Sequence, residues 1–252
     1  MTTLLSEVLT LKVDDPVAFT FFIGYMAMFA ATVFFLFERG SVDGKWKTSL
    51  LVSGMITGIA AVHYYYMRDF YLATGTNPTV LRYIDWTLTV PLMCVEFYLL
   101  LKPAGAPKSF LWKLIGASVL MLVMGYIGEA FTDGTMGHSV LYGFLSTVGY
   151  VYILYSAWFG EAKQLAAKSN SESVQKGINA LAWFVLVGWA IYPIGYMAMP
   201  GGWLGADGAG ILKPSDLDLI YNIGDAINKI GFGLVVYGIA TTESAKAAVK
   251  AA

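Results

Sequence analysis

Residues 80–101 read VLRYIDWTLTVPLMCVEFYLLL, a stretch in which only Arg82, Asp85 and Glu96 carry charge. A bilayer core takes about 20 mostly apolar residues per helix, so the stretch can cross one while carrying three ionisable groups inside. On a helix, Arg82, Asp85, Thr89 and Glu96 follow at offsets of three, four and seven and share one face. Working outward, six further stretches of comparable length and apolarity occur, at 17–37, 49–67, 110–131, 138–159, 177–199 and 217–241. The expected architecture is an all-α membrane protein, a seven-transmembrane-helix bundle that uses residues 1–252 as a single domain. Links at 40–47, 69–77, 102–108, 133–137, 160–173 and 200–215 hold the expected breakers and polar residues.

Composition agrees. The 252 residues are 57% hydrophobic and only 13% charged, whereas soluble chains carry about a quarter charged residues. That excludes an ordinary soluble domain. The 16 basic and 17 acidic residues leave no basic stripe for a nucleic acid. A single cysteine, Cys94, excludes an intramolecular disulfide framework and any multi-cysteine metal centre. There is no glycine loop of phosphate-binding spacing, no metal-ligand group and no nucleophile beside a base, so no enzyme class is supported.

Basic residues outside the stretches divide unevenly. Arg39, Lys45, Lys47, Lys102, Lys108, Lys113, Lys163, Lys168, Lys176, Lys246 and Lys250 fall on one side, and Lys12, Arg68 and Lys213 on the other. By the positive-inside rule the C-terminus is cytoplasmic and the N-terminus extracellular. The first residues, with Glu7, Asp14 and Asp15 and no basic start, do not read as a cleavable signal.

An ionisable group at membrane depth costs several kcal/mol and points to function by default. The set is His63, Arg82, Asp85, Glu96, Glu129, Asp225 and Lys229; the plainer alternative is charge pairing that only holds helices together. Asp85 and Glu96 lie eleven residues apart, about 16 Å in depth on one azimuth. They are too distant for a dyad but well placed as two proton stations flanking a central group. Lys229, one turn beyond Asp225, is either a salt-bridged structural cation or an amine able to condense with a carbonyl. Trp86, Trp189, Tyr192 and Tyr196, with Pro193 kinking the sixth helix, could line a flat apolar ligand or simply pack the core.

Three segments together are more specific. Arg82-Tyr83-Ile84-Asp85-Trp86-Thr87-Leu88-Thr89-Val90-Pro91 with Glu96, Gly188-Trp189-Ala190-Ile191-Tyr192-Pro193, and Asp225-Ala226-Ile227-Asn228-Lys229 closely resemble the bacterial proteorhodopsins, which are seven-helix, retinal-binding microbial rhodopsins. The resemblance runs from about residue 21 to residue 243. It implies a light-driven outward proton pump of the bacterial inner membrane. Lys229 would bind all-trans retinal covalently as a protonated Schiff base, with Asp85 as counterion and proton acceptor, Asp225 as second counterion and Glu96 as cytoplasmic proton donor. Arg82 matches the guanidinium that screens the two carboxylates and guides the released proton outward. Thr89 matches the hydroxyl that bonds Asp85, and His63 the histidine that bonds the same carboxylate. Chemistry supports the donor role, because apolar surroundings favour a neutral carboxyl that holds its proton until needed.

The resemblance also implies a homo-oligomer, a pentamer or hexamer, in the lipid bilayer, with no protein transducer. Phe22 stands where relatives place a tryptophan that meets the neighbouring copy's histidine. Met93 occupies the position that tunes colour, and an apolar, polarisable side chain there predicts green rather than blue absorption. Asp207, Asp216 and Asp218 read as solvated loop residues and leave proton release unassigned. Glu129 reads as a helix-end ion pair or a contact between copies, and His138 as interfacial. The alternative function is a sensory photoreceptor of the same fold; a carboxyl retained at position 96 argues against it. A third class is a seven-helix carrier of an ordinary solute, which would form no visible band with retinal.

Overall fold

Asp15 opens the first span: its Oδ1 accepts from the backbone N–H groups of Val17 (3.0 Å) and Ala18 (3.1 Å), with Pro16 in the first turn. Both features suit a helix start, where the first N–H groups lack partners within the helix. The computed structural model describes residues 14–131, 135–204 and 210–251; Glu7, Lys12, Asp133 and Asp207 lie outside the described residues. Seven helical spans follow, each long and apolar enough to cross a membrane: α1 Pro16–Glu38, α2 Gly44–Thr74, α3 Thr79–Ala104, α4 Lys108–Ala130, α5 Met136–Lys168, α6 Glu172–Ala198 and α7 Pro214–Lys250.

The spans pack in chain order into a ring. α1 lies against α2, α2 against α3, α3 against α4, α4 against α5, and α7 closes against α6, α1 and α2. Large apolar side chains such as Phe29, Phe37, Trp112, Phe144 and Phe159 point outward and are exposed. Arg82, Asp85, Glu96, Asp218, Asp225 and Lys229 are buried inside. This inversion of the soluble pattern is what hydrocarbon demands, because a charge facing lipid finds neither water nor a partner.

Several helices outrun the apolar stretches expected from sequence. α2 continues past residue 67 to Thr74, so Arg68 and Asp69 sit on the helix, and it stops at Gly75, whose φ of +67° favours glycine. The expected link at 160–173 is mostly helical: the chain turns at Phe159 and Gly160 and resumes as Glu161–Lys168, then Ser171 caps the next helix by accepting from Val174 N–H. α7 runs well beyond residue 241. Apolar length reports bilayer thickness, while backbone hydrogen bonding continues until a residue stops it.

The helix of α6 is interrupted near Pro193, and the irregularity lies on its N-terminal side. Without an N–H, Pro193 cannot bond the Trp189 carbonyl. Tyr192 N–H bonds that carbonyl instead (3.2 Å), and residues Phe184–Gly188 widen into a π turn. The carbonyls released are met by side chains: Asn228 Nδ2 donates to Gly188 O (2.8 Å), and Tyr150 hydroxyl to Val185 O (3.0 Å). Every freed acceptor named here thus has a donor, as buried backbone requires.

Candidate functional site

Lys229, one turn beyond Asp225 on α7, places its Nζ 2.7 Å from Asp225 Oδ2 and 2.7 Å from Asp85 Oδ2 on α3. All three are buried. Breaking such a pair leaves an uncompensated charge, typically at about 3–5 kcal/mol.

The two carboxylates differ. Besides Lys229, Asp225 accepts from three uncharged donors: Tyr64 hydroxyl (2.9 Å), Tyr192 hydroxyl (2.5 Å) and Trp86 Nε1 (3.2 Å). These come from α2, α6 and α3, so Asp225 is a junction of four helices. Asp85 Oδ2 meets Lys229, while its Oδ1 has no hydrogen-bond donor among the described residues. His63 Nδ1 stands 3.8 Å from that oxygen and 2.9 Å from Ile59 O, its hydrogen-bond partner. Asp85 is therefore the carboxylate that can take a proton on an open oxygen without surrendering a hydrogen bond.

Three expectations about this cluster need correction, the first being His63, which bonds the Ile59 carbonyl one turn back on its own helix and not the Asp85 carboxylate. Thr89 hydroxyl donates to the backbone carbonyl of Asp85 (2.9 Å), not to its carboxylate. A helical threonine reaches the carbonyl four residues back readily, whereas Asp85 Oδ2 is turned toward Lys229. Asp218 is not a solvated loop residue: it lies within α7, 1% exposed, paired to Arg82 Nη2 at 2.8 Å. Arg82 Nη2 also donates to Asn222 Oδ1 (2.8 Å). A signal was present, because residues 218, 222, 225 and 229 repeat at four, three and four on one helical face. Asp216 is exposed as expected, though on the first turn of α7.

From Lys229 a cavity of about 860 Å³, counting its opening, runs between α3, α4, α5 and α6. Trp86, Met93, Trp189, Tyr192, Pro193 and Tyr196 all line it. So do Tyr83, Met121, Tyr150, Trp203 and Asn228, which sequence reading had not singled out. Trp86 stands edge-on to Tyr192 with ring centroids 4.9 Å apart. At Gly143 a Cβ would fall 2.8 Å from Trp203, closer than real contacts allow, so glycine keeps that wall open to the ring.

Glu96 lies apart from this network and is fully buried. Ser53 hydroxyl donates to its Oε1 (3.0 Å), and its Oε2 has no partner among the described residues. Glu129 binds hydroxyls rather than a cation: Tyr83 at 2.9 Å, with Thr79 at 3.5 Å. His138 Nε2 meets the Ile127 carbonyl at 3.2 Å.

Comparison with known proteins points one way. A family model described as bacteriorhodopsin-like protein matches residues 15–243. The green-light absorbing proteorhodopsin of Gamma-proteobacterium EBAC31A08 is 44% identical over 94% of this chain and 91% of its own length. The blue-light absorbing proteorhodopsin of Gamma-proteobacterium Hot 75m4 is 44% identical over the same shares. Among solved structures, Exiguobacterium sibiricum rhodopsin superposes with a TM-score of 0.78 at 33% identity, covering 91% of this chain and 97% of that one. Xanthorhodopsin, described as a light-driven ion pump with dual chromophore, gives a TM-score of 0.78 at 30% identity, covering 92% and 95%.

Proposed function

Since the chain belongs to the bacteriorhodopsin-like family, we infer that it is a light-driven outward proton pump carrying all-trans retinal covalently at Lys229. The observation that carries this reading is the Lys229 amine, held between Asp85 and Asp225 at the end of an aromatic-lined cavity. The residues fit such a group, with flat rings along the cavity and a glycine that lets two of them pack against α5. When bound, retinal supplies visible absorption and an isomerisation that re-aims the Lys229 N–H.

The chain's own residues do the rest. Asp85 takes the proton from the Lys229 nitrogen on its open Oδ1. Asp225 keeps its charge beneath that nitrogen, because protonation would disturb bonds from Tyr64, Tyr192 and Trp86. Glu96, on the other side, returns a proton to the nitrogen; its surroundings keep water away, so the carboxyl holds its proton until the turnover calls for it. His63 faces the same carboxylate from α2, its Nδ1 3.8 Å from Asp85 Oδ1.

The same reading makes residues 1–252 one transmembrane domain in the bacterial inner membrane, N-terminus outside, assembled as a pentamer or hexamer without a transducer. It is a transporter rather than an enzyme, and Met93 sets green absorption. The test uses cells supplied with all-trans retinal: unbuffered medium is followed under green light with and without a protonophore. Light-driven acidification abolished by the protonophore is expected. A coloured protein that leaves the medium unchanged overturns the pump in favour of the sensory photoreceptor, and the absence of any visible band removes retinal.

A further inference from the structure

Gly125-Tyr126-Ile127-Gly128-Glu129, near the end of α4, plays no part in the transport steps above. These residues nevertheless hold two of the rings that line the cavity. A Cβ at Gly125 would fall 3.0 Å from the Tyr83 hydroxyl, and one at Gly128 would collide with the Tyr196 hydroxyl, so the glycines let both rings approach α4 closely. The Tyr196 hydroxyl donates to the Ser139 carbonyl at 3.0 Å. The Tyr83 hydroxyl donates to Glu129 Oε2 at 2.9 Å, and a buried phenol needs such an acceptor, because leaving it unpaired costs its full desolvation.

Tyr83 in turn meets Trp86, a buried indole on the cavity wall that donates to Asp225 at 3.2 Å. Three tyrosines stand edge-on around that indole, Tyr192 with ring centroids 4.9 Å away, Tyr83 at 5.1 Å and Tyr221 at 5.6 Å. Each is fastened by its own hydroxyl. Tyr192 is tied to Asp225 and Tyr221 to the Tyr192 carbonyl, both within α6 and α7, whereas Tyr83 is tied to Glu129 on α4.

Resting on the retinal reading above, we propose that Glu129 is a positioning residue for the chromophore: by accepting from Tyr83 it fixes that ring against Trp86, and the braced indole holds the cavity to the width of a straight, all-trans chain. A cis double bond bends the chain and needs more room at one wall. Loosening Tyr83 gives Trp86 that room, so the pigment at rest in the dark admits more of the cis isomers. The role requires an acceptor and not a charge. An amide oxygen at position 129 therefore serves as well as a carboxylate.

The test is to extract retinal in the dark from purified pigment in nanodiscs and to separate its isomers by chromatography. The ratio of cis to all-trans should rise by about threefold or more in Glu129→Leu, the scale of a lost hydrogen bond, and return to the wild-type value in Glu129→Gln. Tyr83→Phe, which keeps the ring and deletes the hydroxyl, should give the same rise, and the double variant Tyr83→Phe/Glu129→Leu no more than either alone. In the retinal-free protein the two single substitutions should lower the melting temperature by amounts that do not add. If Glu129→Leu does not fold, the ratio in Tyr83→Phe decides alone. A wild-type ratio in the variants overturns the proposal even where the melting temperature falls, as do additive effects. Failure of Glu129→Gln to restore the ratio overturns it too, since Glu129 would then act by its charge. A wild type that binds no retinal removes the reading beneath the proposal, a result distinct from all of these.

Discussion

The two halves of the interior are built on opposite plans. Toward the N-terminal end, Lys229, Asp225, Asp85, Arg82 and Asp218 form a nearly continuous run of charges cross-linked by Tyr64, Tyr192, Trp86 and Asn222. Toward the other end, Glu96 is buried with one hydrogen bond, from Ser53, and with the buried Ser49 beside it. A dense network can pass a proton between neighbours at small cost per step, and it also lets one leak back. A lone carboxyl in a dry core moves its proton only when a neighbour's geometry changes. On the pump reading proposed above, the charged side is the exit and the apolar side the entry.

The sharpest way to break the contrast is to remove its centre. Lys229→Ala deletes the cation shared by Asp85 and Asp225 and the proposed attachment point, so the visible band with retinal and all light-driven acidification should vanish. Asp85→Asn leaves the attachment intact but removes the acceptor; pigment should form while pumping falls by about a hundredfold or more, the scale of a lost proton-transfer group. Acidification near the wild-type level in Asp85→Asn would show that another group accepts.

Glu96→Gln tests the guarded half. Reprotonation of the Lys229 nitrogen should slow by about ten- to a hundredfold near neutrality. With the internal donor gone the proton comes from bulk water, so the step should slow a further tenfold or so for each unit rise in pH, whereas the wild type should stay nearly flat. Equal pH dependence in both proteins would mean that Glu96 supplies no proton. The smallest effect is expected at the π turn of α6. A Cβ at Gly188 would collide with the Asn228 side-chain oxygen that faces it, so Gly188→Ala should cost about 1–3 kcal/mol, read as faster thermal bleaching with the transport residues intact.

Much of the site can be read along the chain, because a helix converts spacing into direction. The offsets linking Arg82, Asp85, Thr89 and Glu96 place them on one face before any neighbour is known, and the four-residue step from Asp225 to Lys229 does the same. Asp218 was legible by that rule, yet its position beside a Pro- and Gly-rich link made it look like solvated loop. The six aromatic, methionine and proline positions grouped by sequence do line one cavity, whereas Tyr150, Met121 and Trp203 come from segments with no local mark to separate them from ordinary packing.

Sequence alone determined the number of spans, since bilayer thickness sets the length of an apolar run, and it picked out Arg82, Asp85, Glu96, Asp225 and Lys229 as charges inside them, though not Asp218. Tertiary structure decided what each polar atom meets. That Asp225 is bonded by three neutral donors while Asp85 keeps an oxygen open depends on rings brought from α2, α3 and α6. That Thr89 bonds a backbone carbonyl, and that Arg82 turns to Asp218, depend on competition among partners at distances of tenths of an ångström. Spacing along one helix determines a residue's direction, but a hydrogen bond is settled by two atoms, and in this bundle the second is usually carried by another helix.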